Sequence, residues 1–376
     1  MKNYNKILRI VCASALVAIS FAAKAFSFEY TYEGVTLKYT AIDQINMYCE
    51  VSALVDGGEA YDEKTLNLII PEKVEFNGVE FTVTSIGESA FEYNEGIYSV
   101  VLPPSIQTIK KYAFSCCSKT EYDPEVSAEW GLREINLPDS LTYIGSGAFW
   151  GCRNLEEIKI PSKITSIPDY AFNKCNWLRK VDLPSSIESI GLNAFHYTRL
   201  QTVTIPSSCK KLGAGAFSEI VPRERIDYDY DHPYSYIGLE KLYIPSSLTS
   251  IYYSSTQYYD GSFYYNSGIR EIEYNSTEPK IFGSKLFVDE VYEKAILYVP
   301  TGCKANFATS EPWKRFFIVE KDFDDSQDVA QVNEISGAGN TIQSRYNLMG
   351  QPVDENYHGI VILHYSDGGS EKVLQL

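Results

Sequence analysis

Three cysteines recur at one position of a repeated pattern: Cys117, Cys152 and Cys175 each lie three residues after a phenylalanine. Thiolates bind zinc or form disulfides, but a zinc site needs closely spaced Cys pairs or nearby His, which this pattern lacks. Other repeats carry Asn94, Thr198, Ile220 and Asn266 at the same position. We therefore interpret the position as structural, because buried free Cys behaves as a small hydrophobe. Cys116 remains a candidate for a cross-link in an oxidising compartment.

Catalytic chemistry finds little support in the residue pattern. The four histidines are His196, His232, His358 and His364. None stands in a recognisable arrangement with Ser, Cys and a carboxylate. Phosphate loops, dinucleotide fingerprints and metalloprotease helices are likewise missing from the sequence. We predict a protein that is not an enzyme and that uses no cofactor.

An acidic segment offers the best metal candidates. Asp227, Asp229 and Asp231 alternate with tyrosines, and three carboxylates two residues apart offer oxygen ligands to calcium. The EF-hand spacing fails, because that loop needs Gly at its sixth position and Glu at its twelfth, where His232 and Gly238 stand. We interpret the segment as a solvated acidic loop, keep the three aspartates as weak calcium candidates and predict no metal.

Tyrosine is the residue type most suited to recognition, and the chain has 30 of them. Tyr among Ser, Thr, Asp and Gly is typical of recognition loops, because the ring offers contact area at low entropic cost. Aromatic loops also stack on sugar rings. The alternative is that these tyrosines merely cover the edge of the fold. The candidate binding residues are Tyr228, Tyr230, Tyr234, Tyr236, Tyr252, Tyr253, Tyr258, Tyr259, Tyr264 and Tyr265.

A repeat of 23 residues must position all of these side chains. Ala-Phe dipeptides are spaced by 23, 35, 23, 23 and 22 residues, and a second landmark, an apolar residue followed by proline, keeps the same period. Such self-similarity predicts stacked coils. The dipeptide phenylalanines are Phe91, Phe114, Phe149, Phe172, Phe195 and Phe217.

Each unit reads as one coil of a solenoid. Leu155, Ile158 and Ile160 have the spacing of a short strand that joins a parallel sheet. Pro161 ends the strand because proline has no N–H for the ladder, and glycines such as Gly145 then permit a turn. We expect the phenylalanines to stack on one another as an interior spine.

Outward-facing strand positions carry ordered charges. Glu157 and Lys159 are followed 23 residues later by Lys180 and Asp182, so each acid should lie beside a base on the next strand. Exposed pairs of this kind stabilise a surface by less than about 1 kcal/mol each. The other columns are mixed and show no single ligand preference: Glu134 and Asn136, Thr202 and Thr204, Lys241 and Tyr243, Glu271 and Glu273.

Three insertions interrupt the 23-residue period, at residues 118–130, 218–236 and 252–261. Solenoids tolerate extra loops between coils and often bind through them. Most of the candidate tyrosines fall in or beside the second and third insertions, which makes these loops the predicted contacts.

The repeat resembles the BspA-like leucine-rich-repeat family of bacterial surface and secreted proteins. Its unit there reads roughly L-x-x-I-x-I-P-x-x-I-x-x-I-G-x-x-A-F-x-x-C, and the likeness covers about Ser85 to Val299. The last two units are degraded, with Ser262-Phe263 and Leu286-Phe287 in place of Ala-Phe. The resemblance implies a right-handed leucine-rich-repeat array and a role in attachment to extracellular-matrix proteins.

The ends of the chain have different compositions. Lys2, Lys6 and Arg9 precede an apolar run over residues 10–23, and Ala23 and Ala25 form a small-x-small cleavage site. Residues 1–25 are therefore predicted to be a signal peptide. The alternative, a membrane anchor, is disfavoured because a spanning helix needs about 20 apolar residues.

The remaining segments complete the predicted organisation: an N-terminal β cap at residues 26–84, the solenoid at 85–321, a linker at 322–344 and a C-terminal β module at 345–376. The last resembles the C-terminal modules of proteins secreted by Bacteroidetes, through Tyr346, Leu348 and Gly350 and the run Gly359 to Ile362. It departs from that pattern at His358, where those modules have Lys. The resemblance implies a sorting role.

We predict a β-rich repeat solenoid of the α/β type, with coils of about 23 residues and a parallel sheet. The net charge of −16 disfavours nucleic acid and anionic membranes as main partners. The predicted function is exported, non-enzymatic protein binding at the outer cell surface or outside the cell, with the periplasm as an alternative location. The alternative function is glycan binding in a surface polysaccharide-capture system. The sequence does not decide between a protein and a glycan partner, or the oligomeric state.

Overall fold

The computed structural model describes residues 25–56, 66–118, 131–218, 239–251, 261–280, 282 and 286–323, and the backbone alone of 342–347, 359–365 and 370–375. The chain divides into two units between Asp324 and Asp325. Apart from Ala25, the predicted signal peptide lies outside the described residues. Within the described part of the chain, no helix has the length and apolar character to cross a membrane.

A column of parallel phenylalanine rings forms the interior of the first unit, as the repeat predicted. Phe149 and Phe172 stack with ring centroids 5.3 Å apart and planes 2° apart, and both are fully buried. Neighbouring rings in the column stack at 5.2 to 6.0 Å. The column runs through Phe91, Phe114, Phe149, Phe172, Phe195, Phe217, Phe263 and Phe287. Even the degraded units therefore contribute a ring.

The predicted strand before each proline forms a first parallel ladder, in three stretches. Its apolar residues point to the core and the residues between them point outward, onto what we call the outer face. The strands are β4 (Leu66–Ile69), β7 (Ile97–Val101), β9 (Glu134–Ile135), β11 (Glu157–Lys159), β13 (Lys180–Asp182), β15 (Thr202–Thr204), β17 (Lys241–Pro245), β19 (Glu271–Asn275), β20 (Ile296–Pro300) and β21 (Phe317–Lys321).

A second parallel ladder follows the proline, at the I-x-x-I end of each unit, where the sequence indicated only a turn. Its strands are two residues long in the repeats, because the chain bends again at once. They are β8 (Thr108–Ile109), β10 (Tyr143–Ile144), β12 (Ser166–Ile167), β14 (Ser189–Ile190), β16 (Lys211–Leu212) and β18 (Ser250–Ile251).

The N-terminal strands extend the second ladder. β3 pairs in parallel with β6, which pairs in turn with β8, so one sheet continues from the predicted N-terminal region into the repeats. The alternation of apolar and polar residues there produces these strands, with Tyr39 and Val51 fully buried between the layers. They are β1 (Ser27–Tyr32), β2 (Val35–Asp43), β3 (Tyr48–Asp56), β5 (Lys73–Phe76) and β6 (Val79–Ile86).

The glycines after the second ladder act through close packing. A Cβ atom on Gly191 would lie 2.5 Å from the backbone nitrogen of Asp169 in the preceding coil, and φ at Gly191 is not positive. Glycine was expected here because it permits a turn. In the structure it is needed because two backbones approach each other closely.

The Ala-Phe turns form a third ladder of hydrogen bonds. The backbone N–H groups of Gly147, Phe149 and Gly151 donate to carbonyls of the next coil at 3.0, 2.9 and 2.8 Å. In the five coils from Phe91 to Phe195, the residues two before and two after the phenylalanine have positive φ, including Tyr112 and Tyr170 at 56° and 60°. Residues other than Gly rarely adopt positive φ, so the hydrogen bonds of this ladder hold the backbone in that conformation.

The stack ends in an aromatic cluster supplied by residues 274–316. The rings of Trp313 and Phe316 meet Phe287 edge to face, at 6.4 and 5.7 Å. Trp313 is fully buried, and its Nε1 donates to the carbonyl of Lys280 at 2.8 Å. The helices here are short: α1 (Asp289–Lys294), α2 (Lys304–Phe307) and a 3₁₀ turn (Trp313–Arg315).

The second unit is a three-stranded antiparallel sheet in the order β22 (Ile342–Asn347), β23 (Gly359–Tyr365), β24 (Ser370–Gln375). The two or three strands predicted for this module are therefore present as three. Most of the predicted linker lies outside the described residues.

Candidate functional site

Two of the ten candidate tyrosines lie in the described part of the chain. Tyr264 and Tyr265 follow Phe263 in the Ala-Phe turn of the seventh coil, with ring centroids 4.6 Å apart and planes at 74°. Tyr265 is 39% exposed and has φ of 66°. The eight others are Tyr228, Tyr230, Tyr234, Tyr236, Tyr252, Tyr253, Tyr258 and Tyr259, and they lie outside the described residues, as do Asp227, Asp229 and Asp231.

The insertions can be located by their ends. Ser118 and Gly131 form an antiparallel bridge that closes the first insertion at its base. The described chain resumes after the second insertion at Leu239, two residues before β17, and after the third at Gly261, ten residues before β19. Both tyrosine-rich insertions therefore belong to the coils that contribute β17 and β19.

The repeated cysteines are buried and free, as the structural interpretation predicted. Each thiol donates to the carbonyl of a phenylalanine in the preceding coil: Cys117 to Phe91 at 3.0 Å and Cys152 to Phe114 at 3.0 Å. Asn266 makes the equivalent bond through Nδ2 at 2.6 Å. In these coils the residue at this position links its coil to the preceding one through a side-chain donor. Among the described residues, no group of His, Cys, Asp and Glu is arranged to hold a metal ion.

His196 and Ser218 form the arrangement closest to a catalytic pair, with Nδ1 and Oγ 2.8 Å apart. The Ser218 hydroxyl also donates to the carbonyl of Gly215 at 3.1 Å, and Ser218 is 4% exposed. Burial lowers the pKa of His196 to about 4. A nucleophile must meet a substrate, and this hydroxyl is covered.

Charge pairing on the outer face differs in detail from the prediction. The expected register holds, with Glu157 opposite Lys180 and Lys159 opposite Asp182. The short ion pairs, however, come from Arg179, which reaches Glu156 at 3.0 Å and Glu157 at 3.1 Å. The strand register was predictable, whereas the choice of partner depends on the longer reach and several donors of Arg.

A shallow groove of about 450 Å³ lies along the second ladder. The hydroxyls of Ser166 and Ser189, which line it, are 3.0 Å apart, and a lining carboxylate oxygen of Asp169 accepts the N–H of Leu192 at 2.7 Å. These polar groups are satisfied within the protein, so the groove offers a ligand few free partners.

The outer face changes character over the last four strands, where it carries aromatic and apolar side chains among paired charges. We call this surface the C-terminal patch; it consists of Lys241, Tyr243, Glu271, Glu273, Ile296, Tyr298, Phe317, Val319 and Lys321. Phe317 is 69% exposed, although it is a large apolar residue. Lys241, Tyr243, Glu271 and Glu273 were noted in the sequence as mixed columns, whereas Ile296, Tyr298 and Phe317 were missed.

Glu273 is the centre of this patch. Its side chain is 3% exposed, and its Oε1 accepts from Lys241 Nζ at 3.2 Å and from Lys321 Nζ at 3.0 Å. Lys241 also contacts Glu271 at 3.1 Å. Hydrogen bonds to Tyr243, Glu271 and Glu273 raise the pKa of Lys241 above its ordinary value. The patch therefore holds two ammonium groups and two carboxylates in one charge-neutral cluster.

The comparisons with known proteins agree with the repeat. The family model for the BspA type leucine rich repeat region matches in six copies, over residues 72–128, 126–221 and 178–293. No curated protein matches the chain.

Solved structures with leucine-rich repeats are also similar. A leucine rich cell surface protein from Faecalibacterium prausnitzii is 17% identical, with a TM-score of 0.42 over 80% of this chain and 96% of that one. A leucine rich repeat protein from T. pallidum is 26% identical, with a TM-score of 0.40 over 51% and 78%. A leucine-rich repeat protein from Bacteroides ovatus is 19% identical, with a TM-score of 0.29 over 79% and 82%.

Proposed function

The chain belongs to the BspA-type leucine-rich-repeat family, and from this premise we propose that it is an exported, non-enzymatic protein that binds another protein. The binding surface is the C-terminal patch together with the tyrosine-rich insertions of the same coils. The partner is a matrix or cell-surface protein, and the role is adhesion to host or neighbouring-cell macromolecules.

The observation that carries this proposal is the exposure of Phe317 on the outer face. Its ring is 69% exposed beside the half-buried Ile296, its register partner on β20. An exposed apolar group rimmed by polar residues marks an interaction site, and aromatic anchors contribute most of the binding energy at protein interfaces. The neighbouring ion pairs provide the polar rim.

Chain connectivity supports the participation of the insertions. The second insertion leads directly into β17, which carries Lys241 and Tyr243. The third precedes the turn that carries Tyr264 and Tyr265, whose rings contact each other edge to face. Tyrosines at such positions extend a contact surface at low entropic cost.

Export is supported by the composition of residues 1–25, and the C-terminal unit is proposed to have the sorting role that its sequence resemblance implies.

The test is an array of matrix proteins probed with the mature chain, residues 26–376. We expect saturable binding to at least one protein. Phe317→Ala, and Ala at Tyr258, Tyr259, Tyr264 and Tyr265 together, should each weaken it roughly tenfold or more without unfolding the chain.

Tyr143→Ala is the matched control, because Tyr143 is 55% exposed but lies in the second ladder. Unchanged affinity in the Phe317 and tyrosine variants would show that this surface does not bind the partner. If no protein of the array binds the mature chain, the adhesive role is refuted.

A further inference from the structure

Glu273 has an acceptor that the protein leaves unused. Its Oε1 receives both lysines, whereas Oε2 is buried and has no hydrogen-bond partner. A buried oxygen on a charged group destabilises the fold when it has no hydrogen-bond donor. Its position is unexpected, because Glu273 lies on the outer face, where a carboxylate would ordinarily contact water.

Side chains from neighbouring strands lie around Glu273. Tyr243 and Tyr298 are the register partners of Glu273 on the two adjacent strands, and both are half-buried. Lys241 lies over the ring of Tyr243 at 4.9 Å, and Lys321 lies over that of Tyr298 at 5.7 Å. The two lysine side chains are 32% and 40% exposed. Rotamer changes in the alkyl stems of these two lysines, with both ammonium groups still at Oε1, would expose Oε2 without moving the backbone.

Tyr243 and Tyr298 are spaced so that one ligand can contact both rings. Strands in a sheet are about 4.8 Å apart, so the backbones of Tyr243 and Tyr298 lie about 10 Å apart with Glu273 between them. Each ring offers apolar area and a polar tip. A ligand across this span meets a ring, a carboxylate and a second ring in one row.

The charge balance selects the kind of ligand. A cationic group would be repelled by Lys241 and Lys321, and an anionic group by Glu271 and Glu273. A neutral ligand with hydroxyl groups donates to Oε2, accepts from the ammonium groups and lays its C–H faces on the tyrosine rings. Sites for small molecules are usually lined by aromatic side chains with a small number of polar groups among them.

We propose that Tyr243, Glu273 and Tyr298 form a subsite for neutral carbohydrate, in which a sugar hydroxyl donates to the free oxygen of Glu273 and the sugar faces pack on the two tyrosines. Lys241 and Lys321 orient the carboxylate through its other oxygen. This subsite goes beyond the proposed function, because it binds free oligosaccharide and needs no protein partner.

The experiment uses the mature chain and a panel of uncharged gluco-, galacto- and manno-oligosaccharides of four to six units, measured by calorimetry. At least one should bind. Tyr243→Ala and Tyr298→Ala should each weaken binding roughly tenfold, and Tyr298→Phe, which keeps the ring, should weaken it less than about threefold.

Glu273→Gln replaces the carboxylate with an amide of the same shape and should weaken binding by at least about tenfold. Tyr143→Ala should have no effect, and thermal unfolding of each variant checks that it is folded. If Glu273→Gln does not fold, the two tyrosine variants still decide the matter.

Three results would overturn the subsite: no oligosaccharide in the panel binds, the Ala variants bind it as wild type does, or charged sugars bind more tightly than neutral ones. A protein partner that is lost in the Tyr243 and Tyr298 variants, with no sugar bound, would assign these residues to the protein interface alone. Sugar binding with no protein partner would uphold the subsite and refute the proposed function.

Discussion

The thiol of Cys152 donates to the carbonyl oxygen of Phe114 at 3.0 Å, across the gap between two coils. The same carbonyl accepts the N–H of Cys117 in its own coil at 3.3 Å. The recurring cysteine therefore donates to an acceptor at the turn while filling a small interior volume.

Replacement of Cys152 by Val removes the donor and puts a slightly larger apolar side chain in its place. We expect the free energy of unfolding to fall by about 1–2 kcal/mol. Cys152→Ser keeps a donor and should cost less. Urea unfolding of the two variants measures this difference, and a larger loss for Ser than for Val would contradict the role of the hydrogen bond.

Truncation of a ring in the phenylalanine column should be severe. Phe172 is fully buried and stacks on Phe149 and Phe195. Phe172→Ala should cost about 3–5 kcal/mol, because a cavity forms between coils. Phe317→Ala, at an exposed ring, should change stability by less than about 0.5 kcal/mol. Similar losses in both would refute the column as the core.

His196 predicts a pH dependence. Burial lowers its pKa to about 4 in the folded protein, below the ordinary value of 6.5. The unfolded chain binds a proton more readily between these values, so this contribution to stability is complete above pH 6.5 and is lost as the pH falls toward 4.

We expect wild type to lose roughly 2–3 kcal/mol more than His196→Gln between pH 7 and pH 4.5. Denaturant midpoints of both proteins at the two pH values measure the difference. Parallel loss in wild type and variant would show that other groups cause the acid sensitivity.

If residues 1–25 are the signal peptide that their composition predicts, the exported chain has a processed N-terminus. Expression with an intact leader should yield an exported protein that begins at Phe26, because cleavage follows the small residues Ala23 and Ala25. Intact-mass measurement identifies the terminus. Ala23→Arg should leave the precursor uncut, and export of an uncut wild-type chain would contradict the prediction.

Features that recur with the period were predictable, because a residue type repeated every 23 positions marks one environment. The phenylalanine column, the first ladder and the buried cysteines were all predicted on this basis. A further signal was overlooked. Serines two residues after proline donate to carbonyls of the preceding coil, as Ser186 does to Ile164 at 2.6 Å. The others are Ser105, Ser140, Ser208 and Ser247.

Other features were not predicted from the period. A strand of two residues, such as β12, is too short to show alternation, so the second ladder was not predicted. In the C-terminal patch, β20 keeps the apolar-proline landmark at Val299-Pro300, so the outward position of Ile296 and Tyr298 was predictable from it. β21 has no such landmark, so the position of Phe317 was not predictable. The burial of Glu273 also depends on lysines from two different strands, Lys241 and Lys321, which only the folded chain brings together.

Trp313 and Phe316, whose rings contact Phe287 edge to face, also affect whether a second chain can add to the end of the coil stack. A bare ring face there would offer the same surface that each coil offers the next, and another chain could continue the column. Head-to-tail contacts of that kind do not close and lead to fibres. Because Trp313 and Phe316 meet Phe287 at 68° and 86°, the translational repeat is broken at that ring. We therefore expect this aromatic cluster to prevent head-to-tail polymerisation through the phenylalanine column.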